Sequence, residues 1–149
     1  MSIARKLLMG AAGAGSKSTY VDDVFSTYVY TGNDTSRSIN NGIDLAGEGG
    51  MTWVKARNVT DNNWLADTER GVNKLLKSNN GNAEVTLANS VTAFNNNGFS
   101  LGSAADVNWN TKTYASWSFR KQKGFFDIVT WTGDGSDPRN ISHSLGSNP

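Results

Sequence analysis

Tyr114-Ala115-Ser116-Trp117-Ser118-Phe119-Arg120 alternates two kinds of side chain at every second position, the period of a half-buried β-strand rather than of a helix. The pattern predicts Ala115, Trp117 and Phe119 facing the core and Ser116, Ser118 and Arg120 facing outward. Upstream, Val91-Thr-Ala-Phe94 and Phe99-Ser-Leu101 flank Asn95-Asn96-Asn97-Gly98, a hairpin signal because Asn and Gly tolerate the positive φ of a tight turn. Met51-Thr-Trp53-Val54-Lys55-Ala-Arg57 carries apolar groups on both faces and reads as an inner strand. Residues 20–31 read as a strand, 37–43 and 75–77 as shorter ones, and 64–70 as a strand stopped by Gly71. About eight short strands without a long amphipathic helix predict an all-β fold: an antiparallel two-sheet sandwich, with a short helical or extended arm ahead of it.

Composition agrees. Sixteen Gly, only two Pro and fifteen aromatics (five Trp, four Tyr, six Phe) suit strands joined by polar turns. No cysteine is present, so disulfides and thiolate metal sites are excluded. Fourteen basic against thirteen acidic residues leave a charge of +1, without the basic footprint that nucleic acid or an anionic membrane requires.

The chain also repeats itself. Phe25-Ser-Thr-Tyr-Val-Tyr30-Thr31-Gly32-Asn33 returns 101 residues later as Phe126-Asp-Ile-Val-Thr-Trp131-Thr132-Gly133-Asp134. After one inserted residue, Pro138, Arg37, Ile39 and Ile43 answer to Arg139, Ile141 and Leu145 at an offset of 102. The expected organisation is an arm over residues 1–20, one module over 21–123, and over 124–149 the start of a second copy, cut off at Pro149. Modules of this size in tandem point to an extended molecule more than to a compact enzyme.

Met1-Ser-Ile-Ala-Arg5-Lys6-Leu7-Leu8-Met9 has the charges of a signal peptide, but its apolar stretch is too short to span a bilayer. It reads instead as an anchoring arm. Two helical turns would place Ile3, Leu7 and Leu8 on one face, which only a partner surface can bury. Ile3, Arg5, Lys6, Leu7, Leu8 and Met9 are therefore the candidate attachment residues.

Catalytic constellations are weak. Gly10 to Ser18 nearly spells a phosphate-binding loop, but has one residue too many before Lys17 and no strand ahead of it. Asp67 and Glu69, two apart on the predicted strand, could form a glycosidase pair; as turn residues, Asp67 would cap amides near Gly71 and Arg70 would pair with Glu69. The one histidine, His143, replaces Asn41 of the first copy, a poor place for a catalytic base. The Asn/Asp-rich turns lack the spacing of a calcium loop. No cofactor, metal or catalytic residue is assigned. Of the tryptophans, Trp53 and Trp117 read as core. Trp109, flanked by Asp106, Asn108 and Asn110, reads as exposed and is the candidate glycan contact.

These motifs resemble a known family. Gly49-Gly50-Met51-Thr-Trp53-Val54-Lys55, Asp67-Thr-Glu-Arg70-Gly71, Phe94-Asn-Asn-Asn-Gly98-Phe99, Tyr114-Ala-Ser-Trp117-Ser-Phe119 and Phe126-Asp-Ile-Val-Thr-Trp131-Thr-Gly133 are similar to the repeating module of virion structural proteins of tailed bacteriophages, many infecting marine cyanobacteria. The opening Met1 to Leu8 and Tyr20-Val-Asp-Asp-Val-Phe25 resemble the start of such proteins, often labelled tail fibres. The resemblance implies a concanavalin A-like lectin sandwich located in the virion tail. It further implies docking on an adaptor, nozzle or baseplate type of tail protein. With no cysteine and a modest core, an extended fibre gains rigidity by burying surface between copies, so a homotrimer is expected. The alternatives are a carbohydrate-binding module touching host surface glycans, or the non-catalytic part of a polysaccharide depolymerase.

Overall fold

The computed structural model describes residues 19–146, so the attachment residues Ile3, Arg5, Lys6, Leu7, Leu8 and Met9 lie outside the described part. The fold is an all-β sandwich of two antiparallel sheets. Its chain order is α1 (Val21–Val24), β1 (Phe25–Thr31), β2 (Arg37–Asn40), β3 (Gly50–Ala56), β4 (Asn63–Asp67), β5 (Lys74–Lys77), β6 (Val85–Thr86), β7 (Val91–Asn95), β8 (Gly98–Leu101), α2 (Ala105–Asn108) and β9 (Thr113–Arg120). One sheet has the order β1-β9-β3-β4-β5-β6 and the other β2-β8-β7.

The apolar side chains of the two inner faces make one core. Ile39, Phe99 and Leu101 of the small sheet meet Tyr30, Val54, Ala56, Trp64, Ala66 and Tyr114 of the large one, and Ile43, Leu45 and Val107 close the ends. The predicted hairpin forms as β7 and β8 around Asn96 and Asn97. Gly98 there has φ +124, and a Cβ on it would collide with the Ile39 carbonyl oxygen, so this end of the β2–β8 pairing needs glycine. The inner-strand expectation for β3 also holds, since it pairs with both β9 and β4.

The faces of β9 are the reverse of those predicted. Tyr114, Ser116 and Ser118 are buried against the small sheet, whereas Ala115, Trp117 and Phe119 lie half-buried on the outer face. Alternation reveals a period, not which phase is inside; here the small hydroxyls are wanted inside. Ser118 Oγ takes a 2.8 Å hydrogen bond from Asn41 Nδ2, and Ser116 Oγ donates to the Tyr28 carbonyl oxygen at 3.3 Å. Trp53 and Trp117 accordingly stand outside the core and pack on each other at 5.6 Å, beside Phe25 on Phe119 at 5.0 Å.

Two smaller expectations also change. Residues 21–24 coil into a single turn, α1, capped by Asp23 Oδ2 accepting from the Tyr20 N–H at 2.8 Å, so the first strand starts at Phe25. Strand β4 ends at Asp67, and residues 68–70 form a turn that puts Glu69 off the strand. Arg70 pairs with Asp67 and Glu84, not with Glu69, which binds Lys121 Nζ at 2.6 Å.

Candidate functional site

Two places stand out from a framework whose polar groups otherwise serve the fold. The first is the loop between α2 and β9. Trp109 is 50 % exposed there, and Lys112 Nζ lies 5.1 Å from its ring centroid, close enough for cation–π attraction. The loop carrying this exposed indole is tied down from several sides. Trp109 N–H donates to Tyr114 Oη at 2.9 Å, and Tyr114 Oη donates onward to the Ala105 carbonyl at 2.9 Å. The Gly32 N–H donates to Lys112 O at 2.8 Å and the Thr111 N–H to Gly32 O at 3.2 Å. Asn110 N–H reaches Asp34 Oδ1 at 2.9 Å, and Thr113 N–H reaches Asn58 Oδ1 at 3.0 Å. Thr111 has φ +65, a left-handed conformation that a β-branched residue adopts only under constraint.

Of the four predicted glycan contacts, the structure leaves Trp109 and Asn110 on the surface. Asp106 is half-buried, and burial raises its carboxyl pKa. Asn108 is fully buried and belongs to the framework. Its Oδ1 accepts from Asn33 N–H at 3.1 Å, and its Nδ2 reaches Asn33 Oδ1, Thr35 O and Gly102 O at 3.1, 2.7 and 2.8 Å. An amide saturated in this way cannot face a ligand. Across the Thr113–Asn58 contact lies an open depression of about 580 Å³ lined by Lys55, Arg57, Asn58, Val59, Thr60 and Asp61.

The second place is the repeated segment after β9. Three side-chain contacts of the first copy recur at matching positions. Arg37 Nη1 donates to Thr31 O at 2.6 Å, and Arg139 Nη1 to Thr132 O at 2.6 Å. The Thr35 N–H donates to Asn33 Oδ1 at 3.1 Å, and the Ser136 N–H to Asp134 Oδ1 at 2.9 Å. The Ile43 N–H donates to Asn41 Oδ1 at 3.2 Å, and the Leu145 N–H to His143 Nδ1 at 3.2 Å. His143 thus fills the local turn-forming role of Asn41, its Nδ1 in the place of the Asn41 Oδ1.

The segment is folded onto the module at one end. Phe126 packs on Phe119 at 5.3 Å, and Lys121 Nζ lies 3.5 Å from Asp127 Oδ1. Asp127 Oδ2 accepts from the Ser144 N–H at 2.7 Å and the Ser144 hydroxyl at 2.8 Å, closing residues 127–144 into a loop. Chiefly through the Ser144 N–H, these bonds hold the Asp127 carboxyl down at about 2. The pairing is long-range and has no counterpart in the first copy, so no pattern in the sequence announces it.

Among the described residues, no helix is long and apolar enough to cross a membrane. No curated protein and no solved structure matches the chain. A family model described as a domain of unknown function, DUF7483, matches residues 20–149, which take in the sandwich and the repeated segment together. The chain belongs to the DUF7483 family.

Proposed function

We propose that the chain is a non-enzymatic structural protein of a bacteriophage virion, the tail-proximal part of a tail fibre. Residues 1–20 dock on another tail protein through Ile3, Leu7 and Leu8, and lectin-like sandwiches project from there, three chains side by side. The observation that carries this reading is the contact-for-contact repeat of Thr31–Arg37, Asn33–Thr35 and Asn41–Ile43 in Thr132–Arg139, Asp134–Ser136 and His143–Leu145. A fold that begins again after its own last strand is built to extend as an array, and arrays serve as spacers and fibres. The phage-like motifs supply the context; fold alone would not.

The test is the protein composition of purified phage particles. Peptides from residues 20–123 should appear at a few copies per particle, and gold-labelled antibody to them should mark the tail. Particles lacking the chain would overturn the reading.

A second reading, glycan binding at the Trp109 loop, is favoured by one observation: several hydrogen bonds and a left-handed Thr111 fix the backbone of a loop that presents an exposed indole. Exposed aromatic rings on well-ordered loops suit stacking against sugar rings. Loss of binding to host envelope polysaccharide in Trp109→Ala, with an unchanged melting temperature, would establish it. Equal binding by the two proteins would dismiss it.

A further inference from the structure

On one side the large sheet ends in β1, which pairs with β9 alone. The ladder fixes which backbone groups face the open side. The Gly32 N–H donates to the Lys112 carbonyl at 2.8 Å, continuing the register in which Tyr30 stands opposite Tyr114. Backbone groups alternate sides along a strand, so Ser26, Tyr28 and Tyr30 bond to β9, whereas Phe25, Thr27, Val29 and Thr31 point away from it. At the two ends these outward groups are already engaged: the Phe25 N–H donates to the Val21 carbonyl, and the Thr31 carbonyl accepts from Arg37 Nη1 at 2.6 Å. Between them, the N–H and C=O of Thr27 and of Val29 have no partner among the described residues.

The side chains of this edge do nothing to guard it. Edge strands of monomers commonly carry a charge, a proline or a bulge that discourages pairing, and Phe25-Ser-Thr-Tyr-Val-Tyr-Thr31 carries no charge and no proline and pairs with β9 without a bulge. Six large hydrophobic side chains are exposed among the described residues, and three of them belong here: Val29 at 62 % and Tyr28 at 38 % on the strand, and Val21 at 38 % on the turn that leads into it. Free backbone groups and exposed apolar side chains coincide on one strand, the combination that pairing with another chain would bury.

We propose that β1 is a self-pairing edge: a second copy of this chain lays its own β1 antiparallel along it, across a two-fold axis at Tyr28, and joins the two large sheets into one. The strand is its own complement in that register. Thr27 faces the partner's Val29, and Val29 the partner's Thr27, so the free N–H and C=O groups of the two copies satisfy one another. The next groups along, the Phe25 N–H and the Thr31 carbonyl, are the two already engaged within each copy. A slip of two residues either way sets a free group of Thr27 or Val29 against an engaged one. Threonine and valine make β-branched cross-strand pairs, and Tyr28 meets its own symmetry mate. The charges agree too. Arg37 stands at the Thr31 end and Asp22 and Asp23 at the Phe25 end, so antiparallel pairing brings the cation of each copy toward the acidic turn of the other. Self-complementarity of this kind is what a two-fold interface requires. The contact joins chains two by two, so it acts between fibres and not within the threefold bundle of the virion reading, on which it does not rest.

The experiment follows residues 1–149 by sedimentation and by amide hydrogen exchange from about 5 μM to about 0.5 mM, a span that brackets weak association. The mass should rise toward twice that of the monomer. Exchange of the Thr27 and Val29 amides should slow at least about threefold across that span, while the Ser26, Tyr28 and Tyr30 amides stay protected throughout. Tyr28→Lys and Tyr28→Glu each set like charges face to face across the axis. Each alone should remain a monomer with its β1–β9 amides still protected, and the two mixed in equal amounts should pair again. Val29→Pro, which removes an N–H that bonds nothing in the module, should also remain a folded monomer. A monomer at every concentration overturns the proposal, as does an assembly that persists in either charged variant alone, or a mixture of the two that stays monomeric. Thr27 and Val29 amides that exchange slowly at every dilution would mean that the chain covers its own edge, and overturn it too.

Discussion

Arg139 holds the carbonyl oxygen of Thr132 through Nη1 at 2.6 Å, as Arg37 holds that of Thr31. Only the first clasp fastens a strand that belongs to a sheet, and Arg37 lies in addition 5.5 Å from the Tyr30 ring centroid. Arg37→Ala should therefore cost the module about 1 kcal/mol, the net size of a typical intramolecular hydrogen bond at an exposed position. Arg139→Ala should leave the melting temperature where it was. Thermal denaturation of the two variants checks the contrast.

The same asymmetry applies to the repeated glycines. Gly32→Ala drives a methyl group into the Trp109 carbonyl and should destabilise the module by about 2 kcal/mol or more, within the range of overpacking. Gly133→Ala, in open space, should be neutral within about 0.5 kcal/mol. Urea titrations of both variants would show this, and equal losses would mean that the second segment is packed as the first is.

Neighbouring residues in the α2–β9 loop should behave oppositely. Asn108→Ala orphans the Gly102 carbonyl and the bonds to Asn33 and Thr35, and should cost about 3 kcal/mol, the upper range for buried groups left unsatisfied. Trp109→Ala, an exposed residue, should stay within about 0.5 kcal/mol of the parent. Chemical denaturation distinguishes the framework residue from the presented one.

Asp127 gives the segment a pH dependence. Its carboxyl is held at about 2, below the ordinary 3.8, by the Ser144 N–H and hydroxyl, so the folded loop favours the ionised form. The sign follows: closure of residues 127–144 is at full strength above pH 3.8, weakens as pH falls, and is lost through about 2. The Ser144 amide resonance, followed by NMR, should titrate with a midpoint near 2. In Asp127→Asn that titration should vanish, while the sandwich stays folded.

What the sequence discloses divides along physical lines. The strands, the Asn96–Asn97 hairpin and the inner place of β3 were readable because periodicity and turn chemistry are local. The phase of β9 was not: Ser116 and Ser118 go inside because Asn41 and the Tyr28 carbonyl await them, and those partners lie far away in the chain. Aromatic size likewise misplaced Trp53 and Trp117, which shelter each other on the outer face. At the candidate site, the exposure of Trp109 was legible from its polar neighbours. The burial of Asn108 was not, because an Asn in a polar run looks the same whether it faces water or clasps three carbonyl-type oxygens. The repeat was visible in the residues, and the structure adds that its hydrogen bonds recur with it.

Residue-resolved amide hydrogen exchange on residues 1–149 at low concentration bears most directly on the claim that residues 126–145 repeat the local contacts of β1 and β2 without the strand pairing that β1 has with β9. The account predicts that amides of Phe25–Thr31 that bond to β9 exchange only with global opening of the module. Val129, Thr130 and Trp131 should exchange near the rate of an unprotected extended chain. Protection of those three amides to the level of β1 in the isolated monomer would contradict it.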